Sequence, residues 1–268
     1  MSTYLVTGAS RGLGLEFLHQ TSRDPGSTAI GLVRDKKVVE ERLRAELNCG
    51  NVHIVQGDLT DYESLKEAAA EVSNLSGGAI DYLIANASWQ DAITLAELKG
   101  DPAALESALV DAFKTNVIGN IHLFNLFVPL IRRGRARKVI AITSALAEND
   151  VTSTYDVEIA GPFCISKAAL NHAVSKFSAQ YRRDGILFLS LSPGFVDTGY
   201  LAKAEFRAEA TRRAMEEAAK AARYRPSAQF PITAEKSVSQ MLSVINFASV
   251  EGGYGGAVIS HWGNKQWI

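Results

Sequence analysis

The chain has 268 residues, 47% of them hydrophobic, with 28 lysines and arginines against 29 aspartates and glutamates. That length and apolar share suffice for one α/β domain over 1–268 with a full core, while the balanced charge supplies no field for nucleic acid or an anionic membrane. The expected partner is a small molecule. The two cysteines, Cys49 and Cys164, and the absence of a leader-like or membrane-length apolar run point to a reducing, cytoplasmic setting.

Apolar, strand-like runs are predicted at 4–7, 29–33, 52–56, 82–85, 139–143, 187–191 and 257–260, with helical patterns between them. Strand and helix alternating from end to end predict a doubly wound, Rossmann-type domain: a seven-stranded parallel sheet with helices on both faces. The charged, alanine-rich stretch 206–224 breaks this rhythm and reads as a helical lid near 200–225, or else as a solvated extra helix.

The first strand runs into Thr7-Gly8-Ala9-Ser10-Arg11-Gly12-Leu13-Gly14. Glycines at 8, 12 and 14, directly after a strand and opening a helix, form the context in which a backbone turn cradles a pyrophosphate at a helix N-terminus. At the end of the second strand, a carboxylate would hold the ribose hydroxyls of NAD. The chain instead has Val33 and Arg34, with Arg11 in the glycine loop, and two guanidiniums able to fork onto a 2′-phosphate favour NADP(H). Asp35 follows, and a shift of one residue would set a carboxylate there.

These motifs, with Gly57-Asp58-Leu59, Ala85-Asn86-Ala87-Ser88, Asn116 in Lys114-Thr115-Asn116-Val117, Ser144 after Ile142-Thr143, Ser166-Lys167-Ala168-Ala169 and Pro193-Gly194-Phe195-Val196-Asp197-Thr198, resemble the short-chain dehydrogenase/reductase family over nearly the whole chain. The resemblance implies that Gly8, Ser10, Arg11, Gly12, Leu13, Gly14 and Arg34 meet the phosphates. It places Asp58 and Leu59 by the adenine, Asn86 by the ribose, and Pro193, Gly194, Val196 and Thr198 by the nicotinamide. Lys167 would hold the nicotinamide ribose, with Asn116 and Ser144 beside it as the remaining catalytic pair. It also implies a homodimer or homotetramer through helices near 103–129 and 163–182.

The family's fourth catalytic residue is a tyrosine, and this chain has Phe163 in its place. A tyrosine there protonates the alkoxide formed by hydride addition to a ketone, a service typically worth ~10²- to 10⁴-fold in rate. An iminium needs no such donor, because hydride neutralises its charge and leaves a neutral amine. The chain is therefore expected to reduce an iminium or similarly activated C=N or C=O acceptor. It resembles the tyrosine-deficient reductases of fungal indole-alkaloid secondary metabolism, which also template an intramolecular Diels–Alder cyclisation. Two alternatives stay open: a carbonyl reductase using a replacement acid, with Tyr155 and Asp156 as candidates from the long segment between Ser144 and Phe163, and a non-catalytic NADP(H)-binding sensor.

Other features read as structural. The basic run 132–138 is a solvated turn, the histidines lack metal-ligand spacing, so no metal is expected, and Trp89 either walls the pocket or packs.

Overall fold

The computed structural model describes residues 2–46, 50–197, 216, 220 and 231–267. The expected lid, Thr198 and Cys49 lie outside the described residues, Glu216 and Lys220 of the lid range excepted.

The sheet strands are β1 (Thr3–Thr7), β2 (Thr28–Val33), β3 (Val52–Gln56), β4 (Tyr82–Ala85), β5 (Lys138–Ile142), β6 (Leu187–Ser192) and, after a two-stranded pair β7 (Val196–Asp197) and β8 (Ile232–Thr233), the last sheet strand β9 (Val258–Ser260). The order across the sheet is β3-β2-β1-β4-β5-β6-β9, every pair parallel. The order reverses between β1 and β4, so a crevice opens there at the carboxyl ends of the strands, where such sheets bind ligands.

Each face of the sheet carries its own core. On one lie α1 (Gly12–Ser22), α2 (Lys36–Glu46) and α8 (Ala234–Phe247), which contribute Phe17, Leu18, Val39, Leu43, Met241 and Ile245. On the other lie α3 (Tyr62–Leu75), α5 (Gly119–Arg133) and α7 (Gly161–Tyr181). There Phe177 of α7 packs between Phe124 of α5 and Phe188 of β6, both ring pairs at 5.3 Å, which fixes α7 against the sheet.

Helix starts follow local chemistry. Asp61 accepts from Ser64 N at α3, Thr233 from Lys236 N at α8, and Asp101 from Ala104 N at α4 (Pro102–Phe113), with Pro102 at the first position where no N–H is needed. The strands begin or end within a residue of the sequence reading, because buried parallel strands are continuous apolar runs. Two features differ from it. The helix expected over 103–129 is a rod from Pro102 to Arg133 broken by a π turn at Lys114–Ile118, and the polar segment after Ser144 contains a short helix, α6 (Asn149–Thr154).

The basic run also departs from the solvated turn expected. Arg132 and Arg133 belong to α5, and Lys138 is a buried β5 residue whose ammonium donates to Ile245 O at 2.7 Å and Asn246 O at 3.0 Å. Lys138 thus satisfies the carboxyl end of α8, an end that attracts cations.

Candidate active site

The glycine loop closes the space between β1 and β4. Gly8 sits at φ +68°, and a Cβ there would lie 2.8 Å from Ala87 Cα; a Cβ on Gly14 would lie only 2.7 Å from Asn86 Nδ2 and overlap the Gly8 carbonyl. Only glycine permits these contacts. Asn86 braces the turn: its Nδ2 donates to Thr7 O at 3.0 Å and to Gly8 O at 3.4 Å, while Thr7 Oγ1 accepts from the N–H groups of Asn86 and Ala87. The side chain predicted to meet the ribose therefore anchors the loop that precedes α1.

Arg11 begins α1 in an extended conformation, φ −166°, with no side chain capping the helix. The start of α1 is thus left without a side-chain cap, the arrangement that accepts a phosphate. Arg11 and Arg34 are both exposed, and neither forms an ion pair among the described residues. Asp35 turns away into α2, its Oδ1 accepting from Val38 N at 3.2 Å. Arg34, the residue after β2, is exposed, while Asp35 is engaged at the start of α2. On the other side, Asp58 Oδ1 accepts from Thr60 N and Oγ1, both at 2.8 Å, and Leu59 is buried. The uncapped helix, the glycine cradle and the two outward guanidiniums fit a dinucleotide with a 2′-phosphate.

Deeper in the crevice, Asn116 lies within the π turn, fully buried. Its Oδ1 accepts from Trp89 N at 2.8 Å and from Ser88 Oγ at 2.9 Å, while Nδ2 donates to Trp89 O at 3.0 Å and Ser166 Oγ at 2.8 Å. Those four bonds exhaust the amide. They also explain Ser88, a serine where the family usually has glycine, since its hydroxyl reaches Asn116. Ser166 Oγ in turn donates to Phe163 O at 2.7 Å. The loop after β4, the π turn and the first turn of α7 are thus one hydrogen-bonded unit.

Lys167 follows Ser166 and is buried. Its Nζ donates to Ile142 O at 2.7 Å, two residues before Ser144, and stands 5.6 Å from the centre of the Phe163 ring. Burial pushes the ammonium down to about 7. Ser144 is half-buried at the end of β5, its Oγ accepting from Leu146 N at 3.2 Å. Lys167, Ser144 and Asn116 are therefore gathered around the N-terminal half of α7. Phe163 is only 8% exposed and brings a ring, not a hydroxyl, to this group.

The two candidate replacement acids follow α6. Tyr155 ends α6 and is half-buried; Asp156 is exposed with φ +53°, a left-handed turn that aspartate tolerates. The nicotinamide-side residues follow β6: Pro193 O accepts from Ser237 Oγ at 2.7 Å, Gly194 has φ +83°, and Val196 pairs with Ile232. The ring of His261, buried, lies so close to Gly194 that a Cβ there would be 2.6 Å from its Cε1. His261 packs against this turn, although its isolated position in the sequence gave no sign of it.

Asp91 was also missed. Both oxygens of its carboxylate are buried and make no hydrogen bond of normal geometry. Burial raises its pKa to about 6, opposed by the N–H groups of Phe163, Asp91 itself and Ile93, which face it.

The family is shown by comparison. A model described as short chain dehydrogenase matches residues 2–209, and the chain belongs to that family. It is 44% identical over 273 residues to the short chain dehydrogenase virK of Hypocrea virens and 43% identical over 274 residues to the short-chain dehydrogenase/reductase iacC of Pestalotiopsis fici, each match covering 100% of both chains. Among solved structures it is similar to the NADPH-bound carbonyl reductase from chicken fatty liver, with a TM-score of 0.77, 26% identity and 98% of each chain covered. It is an oxidoreductase by family. No helix among the described residues is long and apolar enough to cross a membrane.

Proposed function

We propose that the protein is an NADPH-dependent reductase that delivers hydride to an iminium or a similarly activated acceptor. The observation that carries this reading is the Phe163 ring beside the buried Lys167 ammonium, with no hydroxyl at that position to protonate a product oxygen. The choice of NADP(H) is supported by the outward Arg11 and Arg34, the capping role of Asp35, and the NADPH carried by the chicken carbonyl reductase.

When bound, the reduced nicotinamide supplies the hydride. The protein's part is to hold and to exclude. Arg11, Arg34 and the open N-terminus of α1 take the phosphates; Lys167, anchored on Ile142 O, is placed to hold the nicotinamide ribose. Phe163 walls the reacting centre with an apolar ring whose face tolerates a cationic substrate. Burial lowers the Lys167 pKa to about 7, so its ammonium gives up its proton more readily than an exposed lysine and opposes an iminium less than a fully charged one would. Hydride on the iminium carbon leaves a neutral amine, so atoms and charge balance without an acid.

Subunit pairing through α4 and α7 is part of the proposal. Val110, Ile118 and Ile165 on these helices and the π turn are exposed at 62%, 49% and 42%, an apolar surface that a homodimer or homotetramer would cover. The decisive experiment follows NADPH absorbance in the presence of cyclic imines and simple ketones. Rapid consumption with imines and little with ketones is the expected result; the reverse order overturns the reading.

A further inference from the structure

The first turn of α7 carries Phe163, and Lys167 lies one turn on, so the placement of both depends on how that helix end is held. A helix leaves its first N–H groups without partners inside the helix. Here the residue before α7, Ala160, sits at φ +59° and offers no side-chain acceptor. The donors are met one by one. Gly161 N–H donates to Ile93 O at 2.9 Å, Pro162 has no N–H, and Cys164 N–H donates to Ala160 O at 2.8 Å. That leaves Phe163 N–H, and what faces it is the carboxylate of Asp91.

Asp91 and Ile93 belong to the same loop, whose beginning is fastened to α7 by a different route: Asn116 bonds Trp89 on one side and Ser166 on the other. The loop thus grips α7 at two places, through its backbone at residue 93 and through a charge at residue 91. A negative charge at a helix N-terminus is favourable, and a carboxylate with both oxygens buried and no side-chain donor needs a reason to be there. The N–H groups that face the carboxylate are those of Phe163, Ile93 and Asp91 itself, and the first of these belongs to the helix end.

We propose that Asp91 is a positioning residue: from the loop after β4 it caps α7 electrostatically at Phe163 N–H and so sets the placement of the Phe163 ring and of Lys167 in the cofactor site. The part of this inference that concerns cofactor rests on the NADPH reading above; the part that concerns the helix end does not.

Two variants separate the cap from mere bulk. Asp91→Asn keeps the shape but removes the charge, whereas Asp91→Ala removes both. Binding is compared for NADPH and for adenosine 2′,5′-bisphosphate, which lacks the nicotinamide half and so reports only on the Arg11 and Arg34 side. With Asp91→Ala and Asp91→Asn alike, NADPH affinity is expected to fall about tenfold or more while the bisphosphate changes less than about threefold. Hydrogen exchange across residues 161–167 gives a reading that needs no cofactor, and there Asp91→Ala should speed exchange severalfold with β5 and β6 unchanged. Equal loss for both ligands, no change in exchange, or an Asp91→Asn variant that matches wild type each overturns the proposal. A wild type that binds neither ligand overturns the NADPH reading instead, and the exchange experiment still decides the cap.

Discussion

Lys167 Nζ stands 5.6 Å from the centre of the Phe163 ring, one turn along α7, and its hydrogen bond among the described residues goes to Ile142 O. Residues four apart on a helix share a face, so this pair is fixed by the backbone once α7 is placed. Among the described residues the ammonium is left with one neutral acceptor and an aromatic face, and no carboxylate.

That environment has a consequence for stability. A lysine titrates near ~10.4 in an unfolded chain, and burial lowers Lys167 to about 7 in the fold. Between those values the unfolded chain holds a proton that the folded chain lacks, so this residue makes stability rise with pH from about 7 to ~10.4; below about 7 its full cost is present. Replacing it with Met should therefore stabilise the cofactor-free protein most at pH 6, by about 1–4 kcal/mol, with a melting advantage that shrinks toward pH 10. Thermal melts at both pH values check this. The same variant should lose NADPH affinity and turnover; unchanged affinity would place Lys167 outside the ribose site.

For the cofactor, wild type should prefer NADPH over NADH by ~10- to 100-fold, since charge-assisted hydrogen bonds are worth ~1.5–3 kcal/mol. Arg34→Asp should narrow or reverse that preference, because a carboxylate repels the 2′-phosphate and accepts the ribose hydroxyls. Calorimetric titration of both cofactors is the measurement, and equal wild-type affinities would defeat the assignment.

How much of this was legible in the sequence depends on the range of the interaction. The seven sheet strands were readable because each is a buried apolar run, and the glycine loop because Gly8 and Gly14 admit no Cβ. That Asp35 caps α2 is decided by where that helix starts, one residue's difference that composition does not encode. The π turn at Asn116 is set by partners distant in sequence, Ser88, Trp89 and Ser166, and has no local signature. Asp91 was invisible for the same reason: a lone aspartate in a loop reads as solvated until α7, some seventy residues on, brings an N–H to it. Lys138 misled because a lysine at the end of a basic run looks exposed, whereas its ammonium closes α8 across the sheet.

If the acceptor is an iminium, the polar segment before α7 is not needed as a source of protons. Tyr155→Phe and Asp156→Asn should each leave imine reduction within about threefold of wild type in kcat/KM. The exposed, left-handed Asp156 should tolerate glycine as well, since glycine adopts that conformation freely. A drop of ~100-fold or more in either variant is the size that loss of a general acid produces, and it would establish the carbonyl-reductase alternative.

Phe163→Tyr tests the reading at its centre. The ring is held by a helix end bonded to two other elements, and it is only 8% exposed, so the new hydroxyl would enter a site shaped around an apolar edge. Left without a partner it would cost ~1–3 kcal/mol. Reduction of imines, which ends in a neutral amine, should gain nothing from it and should fall slightly in kcat/KM. Ketones are the opposite case. With Lys167 beside the ring, and Ser144 and Asn116 gathered nearby, the hydroxyl would find the surroundings in which the family's tyrosine protonates an alkoxide, and a weak ketone reductase should emerge where wild type shows little. Steady-state NADPH consumption by both forms against matched cyclic imines and ketones separates the two effects. Rapid reduction of ketones by wild type, unaffected when Tyr155 and Asp156 are both replaced, would show that the missing hydroxyl excludes nothing.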